Sequence, residues 1–424
     1  MNKKIQKLRG VDDIFGKEIL KWNILEKTVL NELNLANFNE IKVPIIELAD
    51  VFHRSNENAD IVMKEFYDFK DKGDRHIALR PELTAPLIRA VVENKLLISE
   101  NLPLRIFSYG PVFRYENPQS GRKRQFTQYD IEIIGTNNIF DDIECILTAC
   151  KIYDKIGFLN KYYVEINFLG NSETILTYTK ALKDYLIPFK EKLSEISKTR
   201  LEKNPLRILD DKIDGELEFV KNAPKIIDFL TEKDKQEFSF LQKCLNEFGI
   251  NFKINPNMVR GLDYYTNTVF EFKVEGFSSI GAGGRYAKMV EEFGGDDLSS
   301  VGLAFSPERI LTVLSEMNID IESLQKEKNL NIIISSRMEE YDINILKLVN
   351  VLRDSNINCA PKYNEGRKIN NIFNYAEKNE ADFLILFGKK EIEKKQIQII
   401  DLKNKKEEFI KEEEIIEFFK NKKI

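Results

Sequence analysis

Residues 113–135 read FRYENPQSGRKRQFTQYDIEIIG, two runs with strand-like alternation around a polar loop that contains Gly121. Side chains alternate across a strand, so Arg114 and Glu116 share one face of the first run. Phe126, Gln128 and Glu132 share a face of the second. A hairpin folded back on itself therefore gathers an arginine, two carboxylates, an amide and an aromatic ring on one surface. Burying that surface is costly without a polar ligand. For any one of these residues a solvated charged face is the plain alternative; for the set together it is the weaker one. Arginine offers a planar, permanently charged fork suited to phosphate, and an aromatic ring stacks on a base. The chemistry fits ATP, and Arg122, Lys123 and Arg124 in the loop suit a polyanion as well.

The rest of the composition narrows the field. The chain has 424 residues with only two histidines, His53 and His76, and four cysteines without a CxxC pair. A metal centre or a Ser-His nucleophile would have to recruit one of those histidines, and neither sits in a matching pattern. No metal site is expected, and the chemistry falls to arginines and carboxylates. A net charge of −5 argues against a general affinity for nucleic acid, although 64 Lys and Arg residues leave room for a local basic patch. No apolar run approaches the length of a membrane span, and the basic N-terminus leads straight into polar sequence. The expectation is a cytoplasmic protein with no membrane partner.

The elements that must position these residues follow from periodicity. Trp22, Leu25, Val29 and Leu33 form one helical stripe over residues 19–36. Ile41, Val43 and Ile45 alternate as a short strand, with Pro44 marking an edge or an interface. Residues 104–134 are β-like. Residues 170–250 turn helical and rich in lysine and glutamate, as an insertion. Strand patterning resumes at Tyr264–Val274 and Val301–Phe305. A polar linker over 317–328 precedes an αβ alternation that suggests a separate domain.

Motif by motif, the chain is similar to class II aminoacyl-tRNA synthetases, and most closely to the histidyl-tRNA synthetase family. The hairpin resembles motif 2. LRPELTAP at 79–86, VRGLDYYTNTVFEF at 259–272 and SIGAGGRYAKMV at 279–290 agree in order, and VGLAFSPERI at 301–310 resembles motif 3. RGLDYYTNTVFE is the most specific of these. A dinucleotide fingerprint at GAGG fails because Tyr286 stands where the third glycine belongs.

The resemblance implies an α+β fold: an antiparallel sheet core flanked by helices, a helical insertion and a C-terminal α/β domain. It divides the chain into a catalytic core at 1–169 and 251–320, the insertion at 170–250, and an anticodon-binding-like domain at 329–424. The activity it implies is histidine activation by ATP, then transfer of histidyl to the 3′ end of tRNA(His), by a homodimer with Mg²⁺ bridging the phosphates. On the same ground Arg114 and Arg260 are the catalytic arginines at the α-phosphate. Glu116, Arg122, Phe126 and Arg309 join Arg114 around ATP. Glu82, Thr84 and Gln128 resemble the holders of the α-amino group; Glu132, Tyr264, Tyr265 and Tyr286 complete the histidine pocket. Thr84 reads equally as a helix cap; Gly281, Gly283 and Gly284 would let the backbone approach the substrate closely, and a plain turn explains them nearly as well. The rival function is a catalytically silent, histidine-binding regulator of ATP phosphoribosyltransferase.

Overall fold

The computed structural model describes residues 5–56, 65–97, 102–116, 122–211, 213–259, 264–324, 330–355, 357–363 and 368–422. Two units meet in sequence between Leu324 and Gln325. In the first, the strands are β1 (Asn39–Glu40), β2 (Ile46–Leu48), β3 (Tyr67–Lys70), β4 (His76–Leu79), β5 (Leu104–Phe113), β6 (Gln125–Ile134), β7 (Tyr163–Phe168), β8 (Phe252–Ile254), β9 (Tyr265–Lys273), β10 (Gly281–Tyr286) and β11 (Ser300–Phe305). Its helices of ten residues or more are α1 (Lys17–Leu35), α2 (Thr84–Glu93), α3 (Ile139–Tyr153), α4 (Ser172–Leu186), α5 (Glu232–Glu247) and α6 (Pro307–Glu316).

Eight strands form the main sheet in the order β1-β5-β6-β11-β10-β9-β7-β8. The central pairings are antiparallel, as expected, but both edge pairs, β1 with β5 and β7 with β8, run parallel. The expected strand at Ile41–Ile45 does not form. Those residues are irregular between β1 and β2, and the Val43 carbonyl accepts from Arg80 Nη1 at 2.7 Å. The helical stripe of α1 does bury Leu25, Val29 and Leu33 against the sheet.

Alternation along β6 sorts its side chains cleanly. Tyr129, Ile131 and Ile133 enter the core shared with α1 and α3. Gln128, Asp130 and Glu132 therefore face the other way, toward α2. The insertion has its own small core, including Tyr178, Leu182, Leu186, Leu201 and Val220. Helix α5 departs from the expected grouping: Phe238, Leu241 and Leu245 pack in the core of the main sheet rather than in that cluster.

The second unit is a five-stranded mixed sheet. Strands β12 (Ile332–Ser336), β13 (Cys359–Lys362) and β14 (Phe383–Phe387) are parallel, while β15 (Gln396–Asp401) and β16 (Lys406–Lys411) extend it antiparallel. Helices α7 (Asp342–Asp354) and α8 (Ile369–Lys378) bury Ile345, Leu348, Leu352, Ile372 and Ala376 against it.

One buried ion pair ties helix to sheet beneath the site. Arg285 of β10 uses all five of its N–H donors: two reach Asp142 of α3, and three reach the Thr136 and Asn138 carbonyls and Ser299 Oγ. Thr268 Oγ1 of β9 donates to the same aspartate at 2.6 Å. Removing one partner leaves the other charge buried and unanswered, at about 3–5 kcal/mol. Asp142→Ala should therefore lower the first unit's thermal unfolding temperature sharply in calorimetry. Glu202→Ala, at the exposed Lys183 pair, should barely move it.

Candidate active site

Cross-strand register builds the floor of the site. Glu132 on β6 lies opposite Gly302 on β11, which lies opposite Gly284 on β10. The next row runs Asp130, Ala304, Ala282 and Glu271. Glycine and alanine leave the middle of both rows almost free of side chains. A Cβ on Gly302 would sit 2.0 Å from Glu132 Oε2, and one on Gly284 would sit 2.9 Å from Tyr265 Cδ1. Glu132 and Tyr265 thus lean over the two glycines from opposite sides. Gly281, Gly283 and Gly284 all lie within β10, so close approach rather than a turn accounts for Gly284.

One end of this floor is acidic and buried. Glu82 accepts the N–H groups of Thr84 and Ala85 at 2.6 and 3.0 Å, which makes Glu82, not Thr84, the cap of α2. The Thr84 hydroxyl is instead bonded to Asp130 Oδ2 at 2.8 Å. Tyr286 donates to Glu132 Oε2 at 2.8 Å, and Tyr264 packs edge-on against Tyr286 with ring centroids 5.4 Å apart. The phenol hydrogen-bonded to Glu132 is therefore that of Tyr286. Asp130 and Glu132 are each 1 % exposed. Burial, then the charge of Glu82, pushes Asp130 up to about 7. Burial, then the charge of Asp130, holds Glu132 well above the usual carboxylate range.

The other end is cationic. Arg114 and Glu116 lie just beyond the end of β5 rather than on it, so the two-residue alternation expected there does not apply. Arg114 donates from Nε to the Pro81 carbonyl at 2.8 Å, and its guanidinium carbon stands 5.2 Å from the Phe126 ring centroid. Arg122 Nη1 reaches Glu116 Oε2 at 3.4 Å. Arg309, in the first turn of α6, donates to the Ser279 carbonyl at 2.8 Å. Its pKa is lowered by burial and then by Arg122, with Arg114 adding to the repulsion. Pro307 opens α6 as expected, but Ser306 donates to Glu308 at 2.6 Å instead of capping the helix.

These groups line one cavity of about 630 Å³ that takes in Glu82, Thr84, Gln128, Arg114, Glu116, Arg122, Phe126, Tyr264, Tyr265 and Arg309. Glu132 and Tyr286 stand behind its wall. Arg260 lies outside the described residues. Three contributions were not assigned from the sequence, although Asp130 and Glu271 stand within the quoted motifs. Asp130 is interposed between Thr84 and Glu132, Glu271 closes the far wall, and Arg200, Arg207 and Asp211 bring the insertion to the cavity. Strand alternation from Gln128 to Glu132 could have found Asp130; no local signal could have found the insertion residues.

A carboxyl whose pKa is raised by folding supports the fold fully below its unfolded value and loses that support as pH rises through the folded value. For Asp130 the loss runs from the ordinary carboxylate range to about 7. Asp130→Asn should therefore raise the melting temperature at pH 8, and the gain should shrink by pH 5. Scanning fluorimetry across that range checks this; an equal gain at both pH values would contradict it.

The chain resembles known proteins along nearly its whole length. The family model described as Histidyl-tRNA synthetase matches residues 10–310, and that of the Anticodon binding domain matches 331–422. A histidine–tRNA ligase of Malacoplasma penetrans is 40% identical over 430 residues, covering 99% of this chain and all of that protein. Apo S. aureus histidyl-tRNA synthetase superposes with a TM-score of 0.81 at 32% identity, covering 98% of this chain and 100% of that one. A Bacillus halodurans structure titled as an ATP phosphoribosyltransferase regulatory subunit/histidyl-tRNA synthetase shares the fold at 20% identity, with a TM-score of 0.63 and coverage of 89% and 97%. The chain belongs to the histidyl-tRNA synthetase family.

Proposed function

We propose that this chain is a histidine–tRNA ligase. It activates histidine with ATP, releasing pyrophosphate, and passes the histidyl group to the 3′ end of tRNA(His). The observation that carries the reading is one cavity with half-buried arginines at one end and buried carboxyls at the other. The cations suit a triphosphate. The acids suit an amino acid that brings an ammonium and a ring N–H.

The histidine carboxylate attacks the α-phosphate and pyrophosphate leaves in line. Charge spreading over the phosphoryl oxygens is met by fixed cations that need no reorganisation. Arg114 takes the α-phosphate; among the described residues its Nε is held by Pro81, which leaves both terminal nitrogens for the ligand. Arg260 completes the pair on the ground of the RGLDYY motif. Phe126 stacks on adenine, Glu116 accepts from its amino group, and Arg122 and Arg309 reach the outer phosphates. Magnesium enters with the nucleotide. No three described His, Cys, Asp or Glu residues gather to hold a metal; Glu271, which lines the cavity, and the phosphates would hold the ion, which would supply positive charge at the phosphates.

Glu132 and Tyr265, across the Gly302–Gly284 floor, read the two ring nitrogens. An apolar analogue would leave those polar groups unpaired, a penalty on the order of 10⁴-fold. The regulatory reading is disfavoured because Arg114, Arg122 and Arg309 all line the cavity and residues 331–422 form a second unit. That second unit, we propose, binds the anticodon. ATP–pyrophosphate exchange run with each amino acid in turn should respond to histidine alone, and Arg260→Ala should abolish it while histidine still binds. Absence of exchange with every amino acid would favour the regulator.

A homodimer is proposed from the apolar residues left exposed around Pro44, namely Ile45, Ile46 and Leu48. Sedimentation should give twice the chain mass, and Ile46→Glu should shift it toward the monomer. A wild-type chain sedimenting at 49.5 kDa would count against the dimer.

A further inference from the structure

The acidic end of the cavity contains one more carboxyl than its motifs assign, and hydrogen bonding sets that group apart. On the pocket face of β6, Gln128 Oε1 is buried without a hydrogen-bond partner among the described residues, and Asp130 Oδ1 has none beyond the neighbouring Glu132 carboxyl, to which Asp130 is hydrogen-bonded. The other Asp130 oxygen is engaged by the Thr84 hydroxyl. Glu82, by contrast, already spends both oxygens on the N–H groups that open α2.

A buried acceptor left open beside a buried pair of carboxyls demands a donor. An ammonium brings three hydrogens and no lone pair. When the Thr84 hydroxyl gives its single hydrogen to Asp130, its oxygen can only accept from the cavity side. Thr84 and Gln128 both line the cavity, and Asp130 lies directly behind them. We infer that Asp130 is a positioning residue for the α-ammonium of the amino-acid substrate, orienting the Thr84 hydroxyl as an acceptor and supplying, with Gln128, the charge and the acceptors that hold that group. The inference rests on the histidine reading of the site and deepens it: ammonium recognition runs through β6 as well as through Glu82. A positive charge arriving there also answers the negative charge held by Asp130 and Glu132, two buried carboxyls joined by a hydrogen bond.

The test is Asp130→Asn, an isosteric change that keeps an oxygen for Thr84 and turns the carboxylate into a neutral amide. In histidine-dependent ATP–pyrophosphate exchange, KM for histidine should rise at least tenfold, while KM for ATP stays within twofold and kcat within threefold. Two competitive ligands separate the subsites. Histidinol, which retains the ammonium, should weaken in step with histidine; 3-(imidazol-4-yl)propionate, which lacks it, should bind both proteins equally. Should the variant fail to fold, Thr84→Val must reproduce the same pattern, and Thr84→Ser must restore KM to within threefold of wild type. A KM for histidine unchanged in Asp130→Asn, or equal weakening of the propionate, overturns the inference. Loss of histidine-dependent exchange in the wild-type chain is a different result, because it removes the ligase reading itself.

Discussion

Charge removed from water has to be answered, and one face of the catalytic sheet concentrates charge of both signs. Glu82, Asp130 and Glu132 are buried at one end, while Arg114 and Arg309 are largely desolvated at the other. Between them lies the glycine and alanine floor set by register from β6 through β11 to β10. Neither end is balanced on its own terms. Besides burial, Glu82 raises the pKa of Asp130 and Asp130 that of Glu132, while Arg122 and Arg114 lower that of Arg309, which leaves a cavity suited to a ligand carrying an ammonium and a polyphosphate.

Such a site survives only on rigid supports. Arg285 fixes β10 to α3 by filling all five of its donors, and Tyr286, the next residue, is thereby held against Glu132. Glu82 anchors the start of α2, and that helix sets Thr84 over Asp130. The carboxyls that define the pocket are thus partly the residues that hold its walls. Removing one changes both affinity and geometry, so a KM effect must be read together with stability.

Much of the site could be read before any fold was known, but unevenly. The face shared by Gln128 and Glu132 followed from strand alternation and stands in β6 as read. The same rule failed two residues past the end of β5, where Arg114 and Glu116 have left the strand. Thr84 could be read as a cap from its position before a helical run. Glu82 took that role because its longer side chain reaches back to the free N–H groups. Pro44 was read as marking an edge or an interface of a short strand, but no strand forms there, and the Val43 and Pro44 carbonyls accept from Arg80 instead of from a ladder.

The hairpin chemistry, the order of motifs and the family were determined by the sequence itself. These depend on residue type and short spacing, which a linear chain states directly. Only the tertiary structure decided which residues share the cavity: that Glu132 rests on Gly302, that Tyr265 leans over Gly284, and that the insertion reaches the same space. Strand register and helix packing join positions more than a hundred residues apart, and no local pattern encodes that pairing. Asp130 lies between the two cases. Its type and parity were open to view, but the Thr84 bond that gives it a role exists only once the start of α2 is brought beside β6.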